Sequence, residues 1–235
     1  MKKRSFTYLL LLMAVHASMG QCIPVPGQNT TITIQGDTYK LFVPNDYATH
    51  SGYYFHIAFT GDKQINNQDA GHEQSGKWLQ KDNITWNGRV VMNNGDTARF
   101  IVLTIPDYGY QPKKYSDAID TVMKVLGKKT DTTRHHRFSA SGIGGGAGRL
   151  WGYLTGQGGA ASPYPAIFLH TITVSPTFPG VDITARSSRG RHWIWYAASD
   201  PDPATPPAAA KALYNVIKGD KRITSQAASC HCSVI

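Results

Sequence analysis

Arg137-Phe138-Ser139-Ala140-Ser141-Gly142-Ile143-Gly144-Gly145-Gly146-Ala147-Gly148-Arg149-Leu150-Trp151 is the stretch on which the reading of this chain turns. His136 to Ser141 reads as a short strand, and Arg149 to Leu154 reads as a helix. The glycines between them predict a sharp strand-to-helix turn. Such a turn serves one of three ends: a phosphate cradle, a nucleophile elbow, or close packing of a helix on a strand. The phosphate reading fails, because no Gly-Lys-Ser/Thr ending follows. Nor does an acidic residue stand in the roughly twenty positions after the cluster to hold a ribose. An elbow needs small residues two before and two after its apex, where flanking Cβ atoms would collide in the strained turn. Gly142 and Gly146 meet that demand around Gly144. Ser141 would put Ile143 at the crowded position, and Ser139 stands between Phe138 and Ala140 within the strand. The elbow therefore has a bare apex.

Outward from this turn, strands and helices alternate. Thr30 to Ile34 and Tyr39 to Val43, joined at Gln35-Gly36-Asp37, read as an antiparallel hairpin. Tyr53 to Phe59 and Phe100 to Ile105 are apolar runs of buried-strand length. Thr60 to Gly95 is polar and reads as loop, with a short helix near Trp78. Tyr115 to Leu126 carries apolar residues at the spacing of one helix face, with Gly127 as its stop. Ile167 to Val174 and Trp193 to Ala198 read as strands, Ala208 to Ile217 as a helix, and Arg222 to Ser225 as a weak last strand. The pattern predicts an α/β fold with a largely parallel, covered sheet.

The Arg137–Trp151 stretch resembles the elbow of secreted bacterial esterases of the polyhydroxybutyrate depolymerase, feruloyl and acetylxylan esterase kind. Their pattern is arginine, a strand, Gly-x-Ser-x-Gly-Gly, and a tryptophan one helical stretch later. Tyr39-Lys40-Leu41-Phe42-Val43-Pro44 and Phe100 to Pro106 are similar to earlier strands of that family, and Asp202-Pro203-Ala204-Thr205-Pro206-Pro207 to its acid-bearing motif. The resemblance implies an α/β-hydrolase fold: a mostly parallel central sheet, an N-terminal antiparallel hairpin and helices on both faces. It implies Asp202 as the triad acid, with Asp200 as the neighbouring alternative, and His231 as the triad histidine. Gly144 takes the nucleophile position. Gly145 and the Phe59-Thr60-Gly61 turn take the oxyanion hole, here without the histidine of the family's His-Gly pair. Tyr108 and Tyr110, in a loop, are candidate ligand contacts, whereas Trp193 and Trp195 alternate along a strand and are expected in the core. The remaining histidines, His50, His56, His72, His135, His136, His170 and His192, show no ligand spacing, and ordinary core or surface roles are expected of them.

Glycine cannot form an acyl-enzyme. Three readings follow: a non-catalytic binding protein for an ester or a polysaccharide-linked ester, a working carboxylic-ester hydrolase with another nucleophile such as Ser141, or a serine codon changed to glycine by one base. None requires a metal or an organic cofactor.

The bulk properties agree with an exported protein. Lys2, Lys3 and Arg4 precede the apolar Tyr8–Val15, and Ser18 and Gly20 supply a cleavage site, so residues 1–20 read as a signal peptide and 21–235 as one domain. A secreted or periplasmic location follows. A lipid anchor on Cys22 fits less well, because Gln21 stands where a small residue is needed. The formal charge of +9 falls by three with the leader. The remaining Lys and Arg are scattered and no nucleic-acid motif accompanies them, so nucleic acid is not an expected partner. No later run is apolar enough to span a membrane. Cys22, Cys230 and Cys232 sit at the extremes of the mature chain, where Cys22 could bridge to either partner. Cys230-His231-Cys232 is too tight for zinc. Asn29-Thr30-Thr31 and Asn83-Ile84-Thr85 are glycosylation sequons.

Overall fold

The computed structural model describes residues 25–60, 88–106, 111–126, 138–155, 170–174, 191–197, 207–216 and 220–226. Every strand among them joins one sheet. β1 (Asn29–Ile34) and β2 (Asp37–Phe42) form the predicted hairpin, with Ile34 opposite Asp37. Gln35 and Gly36 both take positive φ, 52° and 85°, the mirror-image turn whose twist matches that of the flanking strands. β3 is Tyr54–Phe59, β4 Arg89–Val91, β5 Thr97–Ile105, β6 Phe138–Ile143, β7 His170–Val174, β8 Arg191–Ala197 and β9 Asp220–Gln226. The order across the sheet is β1-β2-β5-β3-β6-β7-β8-β9, with β4 added beside β5. From β5 to β9 the six ordered strands run parallel, while β1, β2 and β4 pair antiparallel.

Two sequence expectations need correcting. The polar stretch up to Gly95 is not all loop, because Arg89–Val91 pairs with Thr97–Arg99. Three residues are too short to show a period. The helix after β6 also starts earlier than Arg149: α2 runs Gly145–Thr155. Glycine is a poor helix former, so local propensity hides this start and tertiary packing imposes it.

The helices α1 (Pro112–Leu126), α2 and α3 (Pro207–Val216) lie on one face of the sheet. Tyr115, Ala118, Ile119 and Val122 of α1 and Leu150, Trp151 and Tyr153 of α2 pack with Phe55, Ile57, Phe59, Ile101, Leu103 and Ile105. Ala210 and Leu213 of α3 join the same core beside Ile194. The opposite face carries a smaller apolar cluster around Phe42, Ala58, Phe100 and Val102. Alternation along each strand sends its residues to these two faces by turns.

Candidate functional site

The chain passes from β3 outward to β5, then returns over β3 through α1 to β6. Neighbouring strands whose connections leave in opposite directions open a crevice at their carboxyl ends, the usual ligand position in such sheets. β3 and β6 are those strands, and Phe59 is in register with Gly142. Thr60 and Gly144 follow them directly, so the glycine turn stands at the crevice.

The turn itself is built by contact. A Cβ at Gly142 would lie 2.7 Å from the backbone of Ala147. A Cβ at Gly146 would fall on the carbonyls of Phe59 and Thr60, the latter at 2.5 Å. Real Cβ atoms do not approach backbone so closely, and neither carbonyl is free to move away. Between these two, Gly144 has φ +52°, and a Cβ built there meets no heavy atom within 4 Å. The apex thus holds a left-handed backbone with room for a side chain and none present. Gly145 opens α2. Its N–H is among the first-turn donors that no carbonyl within the helix reaches, whereas Gly148 N–H already bonds Gly144 O at 3.1 Å.

The floor of the crevice is tied down. Thr60 donates its N–H to Ile105 O at 3.2 Å, and its own carbonyl accepts from the buried Arg149 guanidinium. Phe59 sits edge-on to Tyr115, 5.3 Å between centroids, and against Tyr153. The Tyr153 hydroxyl meets Ser116 Oγ at 3.1 Å. β3, α1 and α2 are thereby locked around the turn. With the Thr60 N–H engaged in the sheet, an oxyanion in this crevice would take its donors from Gly145 and from whatever follows Thr60.

The fold has counterparts in solved structures. A ferulic acid esterase matches with TM-score 0.58 at 12% identity, covering 85% of this chain and 89% of that one. Esterase 2 of Thermogutta terrifontis, phosphoramylated by tabun, matches with TM-score 0.56 at 12% identity over 87% and 85%. An alpha-beta serine hydrolase homologue from Coxiella burnetii matches with TM-score 0.53 at 11% identity over 88% and 90%. The chain has the α/β-hydrolase fold. By sequence, no family model and no curated protein matches it.

Within the α/β-hydrolase frame, Gly144, Gly145 and Thr60 come together as described. Gly61, Tyr108, Tyr110, Asp200, Asp202 and His231 lie outside the described residues, as do the three cysteines and residues 1–20. Trp193 departs from the sequence expectation: it is 41% exposed rather than in the core. Alternation assigned it to a face, but the helices described here cover the other face.

A polar cluster emerges that sequence reasoning missed. His56 on β3 is buried, and its ring is held by two serines of β6. Nδ1 lies 2.8 Å from Ser139 Oγ and Nε2 lies 2.8 Å from Ser141 Oγ. One nitrogen accepts and the other donates, so a neutral ring satisfies both contacts. Burial pushes the imidazole down from 6.5 to about 3. A base so weak is poorly matched to activating a hydroxyl near neutral pH. Ser141, wholly buried, lies within β6 rather than at a bend. The only signal in the sequence was the alternation Ser139, Ser141, and it does not say which residue lies opposite. Among the described residues, no group of three or more His, Cys, Asp or Glu side chains could hold a metal ion.

Proposed function

We propose that this chain is a secreted α/β-hydrolase of carboxylesterase type that binds an ester or a polysaccharide-linked ester at the β3–β6 crevice without turning it over efficiently. The observation that carries this reading is the apex at Gly144, left-handed and open between two glycines that admit no Cβ. That combination has a purpose in presenting a side chain. Close packing alone would account for Gly142 and Gly146, but not for the free space above Gly144. Catalysis by the oxyanion hole and binding without a nucleophile amounts to about 10³–10⁴ over water. Asp202 and His231 complete the reading as acid and base.

The test is a fluorophosphonate probe together with a short chromogenic ester. Wild-type protein should give no covalent label and only background turnover. Gly144→Ser should label, and should hydrolyse the ester if Asp202 and His231 are aligned; Asp202→Asn and His231→Ala in that background should abolish the gain. Labelling or burst kinetics of the wild type at any serine would refute a nucleophile-free site.

A further inference from the structure

The sheet face opposite the described helices carries a cavity away from the elbow crevice. Its volume is about 500 Å³, and its lining includes His56, Ser139, His170, Arg191, Trp193 and Arg222. Register explains why these residues meet. Ser139 pairs with His56 and His170, His170 with Arg191, and Trp193 with Arg222. Partners in a parallel register point the same way, and Trp193 is two residues beyond Arg191 on β8. The cavity therefore lies near the amino ends of β6 to β8, whereas Gly144 follows the carboxyl end of β6.

Its chemistry is uneven. Among the described residues no Asp or Glu lines it. Arg222 is exposed, and its side chain makes no hydrogen bond or ion pair among the described residues. Beside it, in register, Trp193 leaves 41% of its surface uncovered. An exposed indole next to an unengaged guanidinium is a flat apolar surface with a cationic end. The volume is within the range of about 300–1,000 Å³ typical of small-molecule sites. A guanidinium matches a carboxylate with two parallel N–H donors, and an indole face matches a planar ring.

We propose that this cavity binds a small aromatic carboxylate, its carboxylate on Arg222 and its ring against Trp193. The half-buried Ser139, whose hydroxyl is held by His56, also lines the cavity. The site does not depend on the reading of the elbow.

Calorimetric titration of the full chain with sodium benzoate, benzamide and sodium galacturonate tests this. Benzoate should bind saturably, and benzamide, which keeps the ring and loses the charge, should bind about tenfold more weakly or less. Arg222→Gln and Trp193→Ala should each weaken benzoate by about tenfold, with Arg222→Lys between the wild type and Arg222→Gln. Both side chains are exposed, and unchanged circular dichroism and melting would confirm folded variants. Equal affinity for benzamide, or a benzoate isotherm that both substitutions leave intact, overturns the proposal. Galacturonate binding more tightly than benzoate overturns the aromatic assignment.

Discussion

Acidification should expose the cost of burying His56. In the unfolded chain its imidazole takes a proton near pH 6.5, and in the folded protein only near 3. Between those values the unfolded state holds the extra proton, so the stabilising difference is complete above 6.5 and drains away as the pH falls toward 3. Each full unit is worth about 1.4 kcal/mol. From pH 7.5 to 5, allowing for partial protonation near 6.5, the loss attributable to His56 is about 2 kcal/mol. Its registered neighbours are Val102 of β5 and Ser139 of β6, neither of which titrates in that window. Urea unfolding of the wild type and of His56→Gln at both pH values isolates the effect. The glutamine keeps a donor and an acceptor for the two serines and has no proton to take up. The wild type should lose about 2 kcal/mol more than the variant over the interval. Equal losses would show that the ring is not buried as a neutral group between Ser139 and Ser141, and the assignment of this cluster would fail.

The other predictions concern the turn and the loop after β2. Gly146→Ala should lower stability by about 2 kcal/mol or more, because its Cβ meets two fixed carbonyls, whereas Gly144→Ala should cost only the left-handed strain, about 1–2 kcal/mol. Comparable thermal melts for the two variants would contradict the turn geometry. At Asp46, burial raises the carboxyl pKa, but the hydrogen bond from Arg99 and the charges of Arg89, Arg99 and His50 outweigh it and hold the group below 3.8. Arg99 Nε and Arg89 Nη2 lie 2.6 and 2.9 Å from Oδ2. Its stabilisation is therefore present above 3.8 and lost as the pH falls through the lower folded value. Asp46→Asn should cost about 1–3 kcal/mol at neutral pH and nothing once the wild-type carboxyl is protonated, a difference that paired denaturation curves read directly.

How much of this was legible in the sequence depended on the distance over which the determining contact acts. Tyr53–Phe59 and Phe100–Ile105 announce themselves as mostly apolar runs because both their faces are covered. The strand-to-helix turn was legible because part of its constraint is local: a Cβ at Gly142 would meet the Ala147 backbone within the same turn. The start of α2 was hidden, since the carbonyls that forbid a side chain at Gly146 belong to Phe59 and Thr60, far away along the chain. The same holds for His56, which meets Ser139 and Ser141 only through the β3–β6 register, and for Asp46, whose arginines arrive on β4 and β5. Trp193 was misplaced because a period of two assigns faces without saying which face is covered.

The open, left-handed apex at Gly144 also sets a direction for change over generations. A serine at φ +52° carries backbone strain of about 1–3 kcal/mol, and glycine carries none. A serine-to-glycine change at such an apex is downhill in folding free energy, and where turnover does not matter nothing opposes it. The return step is uphill until catalysis again repays it. Of the two forms such a bend can take, the one with glycine at its apex is thus the more stable, and folded domains have little stability to spare.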